Sequence, residues 1–277
     1  MKQHFSLLTV LALAVVLFSS CRVRVDDSAI HFDEEDNSPV VTSVIKTKPF
    51  DKINIKGVAT VYYTQGDTLS VKIKGTQKQI DRTEIVSDGA TLSISTKNSK
   101  SIVVNIFDFS NSNNKAPEVY ITSPDIIEVS YHGCGDFISR QPIDTDTLRL
   151  YIHGTGSMEF GHVVCDALNL DVKGTGDIDV TKATAQTVDM QLKGTGNIDA
   201  NIFNANRVSC SLMGTGNIDA MVVNCGHVEA SLGGTGNITL KGDARSMKKK
   251  RSGIGDIDTD DLNIRRTSNR SKKYSIE

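Results

Sequence analysis

The sequence predicts an all-β protein, a parallel β-helix with rungs of about twenty residues. Three observations carry that expectation. First, Gly174-Thr175-Gly176-Asp177-Ile178-Asp179 recurs as Gly194-Thr195-Gly196-Asn197-Ile198-Asp199, and again from Gly214 and Gly234, each time after twenty residues. Second, the apolar residues of these units fall in columns. Leu168, Val188, Val208 and Val228 form one, and Ile178, Ile198, Ile218 and Ile238 another, with mostly polar residues alternating between them. Third, tryptophan is absent, aromatics are only 5%, and Gly, Val, Ile, Thr and Asn are abundant, a composition of strands and turns.

A unit of this kind has one apolar face that it cannot bury alone, and stacking in register closes that face into a core. Rungs then lie about 4.8 Å apart. A propeller blade needs about forty residues, twice this period, and a two-sheet sandwich with parallel pairing is the competing fold. The twist of strands favours right-handed coiling. Gly154, Gly156, Gly174, Gly176, Gly194, Gly196, Gly214, Gly216, Gly234 and Gly236 are read as corners, where the backbone needs a positive φ or leaves no room for a Cβ. Gly196→Val is expected to destabilise strongly and Asn197→Ser not to. Weaker copies at Gly133-Cys134-Gly135 and Gly253-Ile254-Gly255 extend the array at both ends.

The start of the chain reads as a processing segment. A weakly positive head is followed by an apolar run from Phe5 to Phe18, too short to span a bilayer. It ends in Leu17-Phe18-Ser19-Ser20-Cys21. Small residues before a cysteine resemble a bacterial lipoprotein signal, which predicts residues 1–20 as the signal peptide and Cys21 as the acylated anchor. Residues 21–48 hold the acidic run Asp33-Glu34-Glu35-Asp36 without sustained alternation, and read as a solvated tether. The expected location is the bacterial cell envelope, at the outer membrane, on its periplasmic or surface side.

From Pro49 the chain alternates like strands. Ile53-Asn54-Ile55, Val58 to Tyr63, Leu69 to Ile73, Glu84 to Val86, Leu92 to Ile94 and Ile102 to Ile106 continue one style. Turns fall at Gln65-Gly66-Asp67 and Asp88-Gly89, and a polar loop at Phe109 to Ala116. These early units are less regular but are spaced near twenty, as terminal repeats are expected to be. The repeat domain is placed at residues 49–264 and a basic tail at 265–277. Lys248-Lys249-Lys250-Arg251 replaces an apolar strand and reads as a charged cap that stops end-to-end stacking. A basic patch for anionic glycans or lipid head groups is the alternative.

Two outward ladders follow the corners. Asp177, Asn197, Asn217, Asn237 and Asp256 form one, and Glu159, Asp179, Asp199, Asp219 and Asp258 the other, interrupted by Thr239. Stacked Asn side chains can bond along the axis, a structural role. Stacked carboxylates repel. Solvent, Lys173 and Lys193 across the corner, a calcium ion or a glycan could each relieve them. Calcium-binding nonapeptides share the Gly-x-Gly-x-x-Asp fragment, but their period is nine and not twenty. His132 and His153 precede consecutive corners near Cys134, yet no fourth zinc ligand is evident and Lys173 and Lys193 continue their column. Cys165 and Cys225 sit three rungs, about 14 Å, apart in one column, beyond disulfide reach. No cofactor is expected beyond calcium.

A net charge of -2 and scarce aromatics argue against nucleic acid. No Gly-x-Ser-x-Gly elbow, His-Glu-x-x-His or phosphate loop is present. The string Pro49-Phe50-Asp51-Lys52-Ile53, Gly57-Val58, Gln65-Gly66 and Asp88-Gly89-Ala90-Thr91-Leu92-Ser93-Ile94, followed by serial Gly-x-Gly-Asn/Asp-Ile, resembles the putative auto-transporter adhesin, head GIN domain family over Pro49 to Asn263. That resemblance implies a secreted or lipid-anchored β-rich repeat domain of the cell envelope and supplies no catalytic residues. The expected function is a non-catalytic envelope lipoprotein, an adhesin or binding module for glycans or for envelope or host proteins. A polysaccharide-processing β-helix enzyme and a scaffold without soluble ligand are the alternatives.

Overall fold

The computed structural model describes residues 38–97 and 116–265. The signal segment, Cys21, the acidic run, the strand expected at Ile102–Ile106, the following loop and the tail from Arg266 lie outside the described residues. What is described is nearly all strand, coiled into a solenoid of about seven turns with rungs of about twenty residues.

The regular part begins with β8 (Glu128–Tyr131), β9 (Cys134–Ser139), β10 (Ile143–Asp144) and β11 (Thr147–Ile152). It continues through β12 (Thr155–Val172), β13 (Ile178–Leu192), β14 (Thr195–Phe203), β15 (Arg207–Leu212), β16 (Thr215–Leu232) and β17 (Thr235–Arg251). All these strands pair in parallel. Ile178 lies over Ile198 and Ile198 over Ile218, and all three are fully buried. Leu168, Val188, Val208, Val228 and Met247 stack in the same way. Burying each such aliphatic side chain contributes roughly 1.5–3 kcal/mol, and the columns join into one continuous core. The four described cysteines are free thiols, with Cys165 stacked on Ala185 and Cys225 beside Ala244.

Each coil bends at the Gly-x-Gly corner and again where its buried positions switch between even and odd numbers, as from Val180 to Ala183 and from Ala185 to Val188. At the first corner the backbones of successive rungs nearly touch. A Cβ built on Gly196, whose φ is +141°, would lie 2.0 Å from the Gly176 carbonyl oxygen. The second corner carries no Gly-x-Gly signature. Asn204 (φ 62°) and Asn224 (φ 55°) take the left-handed conformation there, which Asn tolerates better than most residues. Several rungs pass this corner without a break, so β12 and β16 each run for 18 residues where two short strands were expected. Local register shifts between Val180 and Ala183, and between Val222 and Cys225, absorb the bend.

The N-terminal part departs from the simple rung. β2 (Lys52–Ile55) pairs in parallel with β6 (Thr91–Thr96) and β8, and β3 (Thr60–Gln65) with β7 (Glu118–Ser123) and β9. These partners lie far more than twenty residues apart, which corrects the expected spacing. Between them the chain leaves the coil as β4 (Ser70–Thr76), α1 (Gln77–Arg82) and β5 (Thr83–Ser87). β4 and β5 pair antiparallel with β7 and β6. The short helix follows from a capping box: Thr76 Oγ1 accepts from Gln79 N, and Gln79 Oε1 accepts from Thr76 N.

Strand β1 (Val40–Ile45) extends the fold into the stretch read as a tether, pairing antiparallel with β4. Alternation is weak there because β1 is an edge strand held by its backbone, with Val40 and Val44 exposed. At the other end β18 (Ile257–Asp258) and β19 (Leu262–Ile264) cover only part of β17. Over the remainder, Lys249 donates to the Ile257 carbonyl and Arg251 to that of Gly255, while Lys248 pairs with Glu229. Those contacts favour the cap reading of this basic run.

Two neighbouring types of glycine should separate in a melting experiment. Gly196→Val should lower stability by roughly 3 kcal/mol or more, because the displaced atom would be backbone. Gly233 has nothing closer than 3.8 Å to an added Cβ. Gly233→Ala should be neutral or stabilise by about 0.5 kcal/mol. Equal melting temperatures by circular dichroism would refute the close-approach account of the corner.

Candidate functional site

The surface beside the glycine corner is where this fold can act, because in-register stacking repeats each outward side chain along the axis. Three columns matter there.

The Asx column is structural. A positive φ at the second glycine turns the next peptide, and its N–H finds a side-chain acceptor. Asn197 N donates to Asp177 Oδ1 (2.7 Å), Asn217 N to Asn197 Oδ1 (3.2 Å), Asn237 N to Asn217 Oδ1 (3.2 Å) and Asp256 N to Asn237 Oδ1 (3.1 Å). Side-chain amides add Asn197 Nδ2 to Asp177 Oδ1 and Asn217 Nδ2 to Asn197 Oδ1. The backbone donors fix which amide atom faces back along the axis. Asn197 is therefore engaged on both sides.

The acidic column is different. Glu159, Asp179, Asp199 and Asp219 are stacked partners, flanked by Ile138 before and Thr239 after. Burial, and then the carboxylates of Asp219, Asp179 and Asp177, raise the pKa of Asp199 above the ordinary carboxylate range. Lys173 and Lys193 do not relieve this column as expected; both lie against Asp171, at 3.2 and 3.9 Å. Asp171 is two residues earlier on the same outward face, so it is nearer than anything across the corner. Two shallow grooves open on this column. One of about 480 Å³ spans Asp179, Asp199 and Asp219 and ends at Lys241. The other, about 540 Å³, shares Asp179 and Asp199 and reaches Glu159 and Arg140. Carboxylates thus line the middle of a trough with a cation toward each end. Among the described residues no group of three or more His, Cys, Asp or Glu has an arrangement that could hold a metal ion.

The same row continues through residues that no repeat connects. Ile138 pairs with Tyr62, and Tyr62 with Tyr120. The two tyrosine rings stack with centroids 5.1 Å apart. These residues lie outside the twenty-residue register, so no column brings them together on paper.

The third column holds His132 and His153, whose rings stack 4.6 Å apart and 5° from parallel. Cys134 is half-buried and its thiol pKa is raised by that burial. Burial pushes Cys165 to about 11 and Cys210 to about 12. Thiolates, the reactive and metal-binding form, are therefore disfavoured at these sites near neutral pH.

A model of the family described as "Putative auto-transporter adhesin, head GIN domain" matches residues 49–225 and 203–272. The fold is similar to a crystal structure of a putative adhesin from Bacteroides fragilis, at 27% identity and a TM-score of 0.68, covering 79% of this chain and 96% of that one. A putative adhesin from Parabacteroides merdae is 20% identical with a TM-score of 0.55, over 80% of this chain and 97% of that one. A putative lipid binding protein from Parabacteroides distasonis is 18% identical with a TM-score of 0.56, over 83% and 98%. These last two show the fold alone. No curated protein matches the sequence.

Two substitutions test the columns. Asn197→Ser should cost about 1 kcal/mol, read as a lowered melting temperature; no shift would mean the ladder is incidental. Asp199→Asn should raise the melting temperature at neutral pH. A raised carboxyl pKa means that stability is full below the unfolded value and is lost as pH rises through the folded one. The gain of the variant should therefore vanish toward pH 3, and a gain independent of pH would sink this account.

Proposed function

Because the chain belongs to the putative auto-transporter adhesin, head GIN domain family, we propose that it is a non-catalytic binding module of the bacterial cell envelope. In this reading Cys21 is acylated and anchors the protein, residues 21–37 hold the head away from the bilayer, and the solenoid presents its repeating outer face to glycans or to envelope or host proteins. The observation that carries the reading is the acidic column of Glu159, Asp179, Asp199 and Asp219, set in a trough that runs along the axis. A repeating surface matches a repeating or extended partner, each rung adding the same contact. Carboxylates on successive rungs accept hydrogen bonds from hydroxyl or amide donors, and Arg140 and Lys241 orient anionic groups toward the trough ends. Regular repetition also supports binding over catalysis, which concentrates unlike groups at one point.

The test uses the mature chain from Cys21. On intact cells, external protease should remove the head, and Cys21→Ala should release the protein into the soluble fraction. Purified head-containing protein on glycan and protein arrays near neutral pH should bind saturably. The triple variant Asp179→Asn, Asp199→Asn, Asp219→Asn should weaken that binding at least tenfold without a loss of melting temperature. Release of reducing or unsaturated sugar ends from a polysaccharide panel would overturn the non-catalytic reading. Unchanged binding by the triple variant would overturn the trough as the contact surface.

A further inference from the structure

One outward column stands immediately before the glycine corners, across them from the acidic trough. The chain places Ile55 beside Tyr131, Tyr131 beside Ile152, Ile152 beside Val172, and Val172 beside Leu192. The residues that follow these are Lys56, His132, His153, Lys173 and Lys193. Their stacking is fixed by backbone bonds: His132 N donates to the Ile55 carbonyl (2.7 Å), His153 N to Tyr131, Lys173 N to Ile152 and Lys193 N to Val172 (2.8 Å each). All five side chains are exposed. Five basic side chains therefore stand in single file, spanning roughly 19 Å at about 4.8 Å per rung. The sixth position, Met213, ends the run with an exposed apolar side chain.

The middle of this file can change its charge. The two imidazoles stack face to face. Lys56 faces His132 on one side and Lys173 faces His153 on the other. The other charged or titratable groups nearby are Asp171, which pairs with Lys173 and Lys193, Tyr151, whose ring lies 6.1 Å from that of His153, and the raised thiol of Cys134. Burial lowers both histidine pKa values, and neighbouring groups lower them further: His153 and Lys56 for His132, Lys173 for His153, with Asp171 opposing in the second case. Burial and neighbouring cations hold both rings toward the neutral form, so the file carries three ammonium groups with two imidazoles between them, and acid adds charge to the middle of the file.

We propose that this column is a docking ladder for a linear acidic polysaccharide lying along the solenoid axis, with His132 and His153 strengthening the grip as the surroundings turn acidic. The chemistry selects this partner. One rung advances by about the length of one pyranose unit, so a sugar chain with one carboxylate per residue meets one cation per rung. A single file of charge, with acidic Asp177 and Asp179 across the corner, admits one narrow polyanion and repels a broad one such as duplex nucleic acid or an anionic bilayer. Linkage runs both ways: a bound polyanion stabilises the imidazolium pair and draws protons onto it. The proposal deepens the binding-module reading and rests on it.

The probe is polygalacturonate, with neutral dextran as control, measured by calorimetry on the mature full chain at about pH 4.5 and about pH 7.5, the lower value set well below the ordinary histidine range because both rings are shifted down. Wild-type protein should bind polygalacturonate at least tenfold more tightly at the lower pH, and binding should weaken with salt. The double variant His132→Gln, His153→Gln should keep its melting temperature and reduce the ratio between the two pH values to twofold or less. Lys173→Gln with Lys193→Gln should weaken binding at both. Histidine ring resonances of the wild type should titrate at higher pH when polygalacturonate is present. No binding at either pH, or an unchanged ratio in the histidine variant, would overturn the proposal. Equal or tighter histidine-dependent binding to anionic lipid vesicles or duplex DNA would overturn the polysaccharide assignment. The trough is tested separately near neutral pH with arrays and its own aspartate variants, so failure here with binding there sinks the ladder alone.

Discussion

At the Gly-x-Gly corner, backbone is packed against backbone with no room for a side chain. There a Cβ on the second glycine would fall within about 2 Å of the carbonyl oxygen one rung below, as at Gly196 over Gly176. Only in a register where glycine lies over glycine does that approach cost nothing. A slip of one residue would put a side chain into the gap and would also turn every buried aliphatic outward. Corner and core therefore enforce the same register from opposite sides of the sheet. The Asx column adds a third constraint, because each Oδ1 accepts the N–H directly above it.

Uniform stacking has a liability at its ends, where strand edges invite further strands. The chain handles the two ends differently. At the N-terminal end it abandons parallel coiling for antiparallel β4 and β5, then lays β1 along β4 as a backbone-held edge. At the C-terminal end the core columns of Ala230 and Leu232 are followed by Lys249 and Arg251. Their stems continue the stack while their charged ends turn to the carbonyls of Ile257 and Gly255. The same column positions thus serve as core through the preceding rungs, from Val129 and Tyr131 to Ala230 and Leu232, and as a stopper in the last.

Legibility followed the repeat. Wherever twenty residues returned to the same place, as at Ile178, Ile198 and Ile218, the sequence alone revealed rung, column and facing direction. It failed where a contact crossed the register. Tyr62 meets Tyr120 because an excursion of two strands and a helix lies between them, and no local pattern records that closure. The second corner was invisible because Asn204 and Asn224 do with a tolerated left-handed conformation what glycine does at the first. The helix at Gln77–Arg82 went unread: its capping pair Thr76 and Gln79 stands in the sequence, but six residues are too few to show a helical period. The carboxylate column was readable as a row, whereas its trough and the pairing of Lys173 with Asp171 depend on side-chain reach.

Stacking also decides how charge is distributed outside. A solenoid cannot scatter its surface residues: a carboxylate repeated every twenty residues becomes a column of carboxylates about 4.8 Å apart. On one side of the corner that produces Glu159, Asp179, Asp199 and Asp219, and on the other Lys56, His132, His153, Lys173 and Lys193. Each column repels itself, and the raised pKa of Asp199 and lowered values of both histidines record that strain together with burial. The glycine corner lies between the two signs, and Lys173 and Lys193 pair with Asp171 on their own side of it. Asp171 relieves the cationic file from within its own side, pairing with Lys173 and Lys193 and acting by its charge on the His153 imidazole. What is left is a pair of parallel, oppositely charged tracks along the axis, held at fixed spacing by the same register that builds the core.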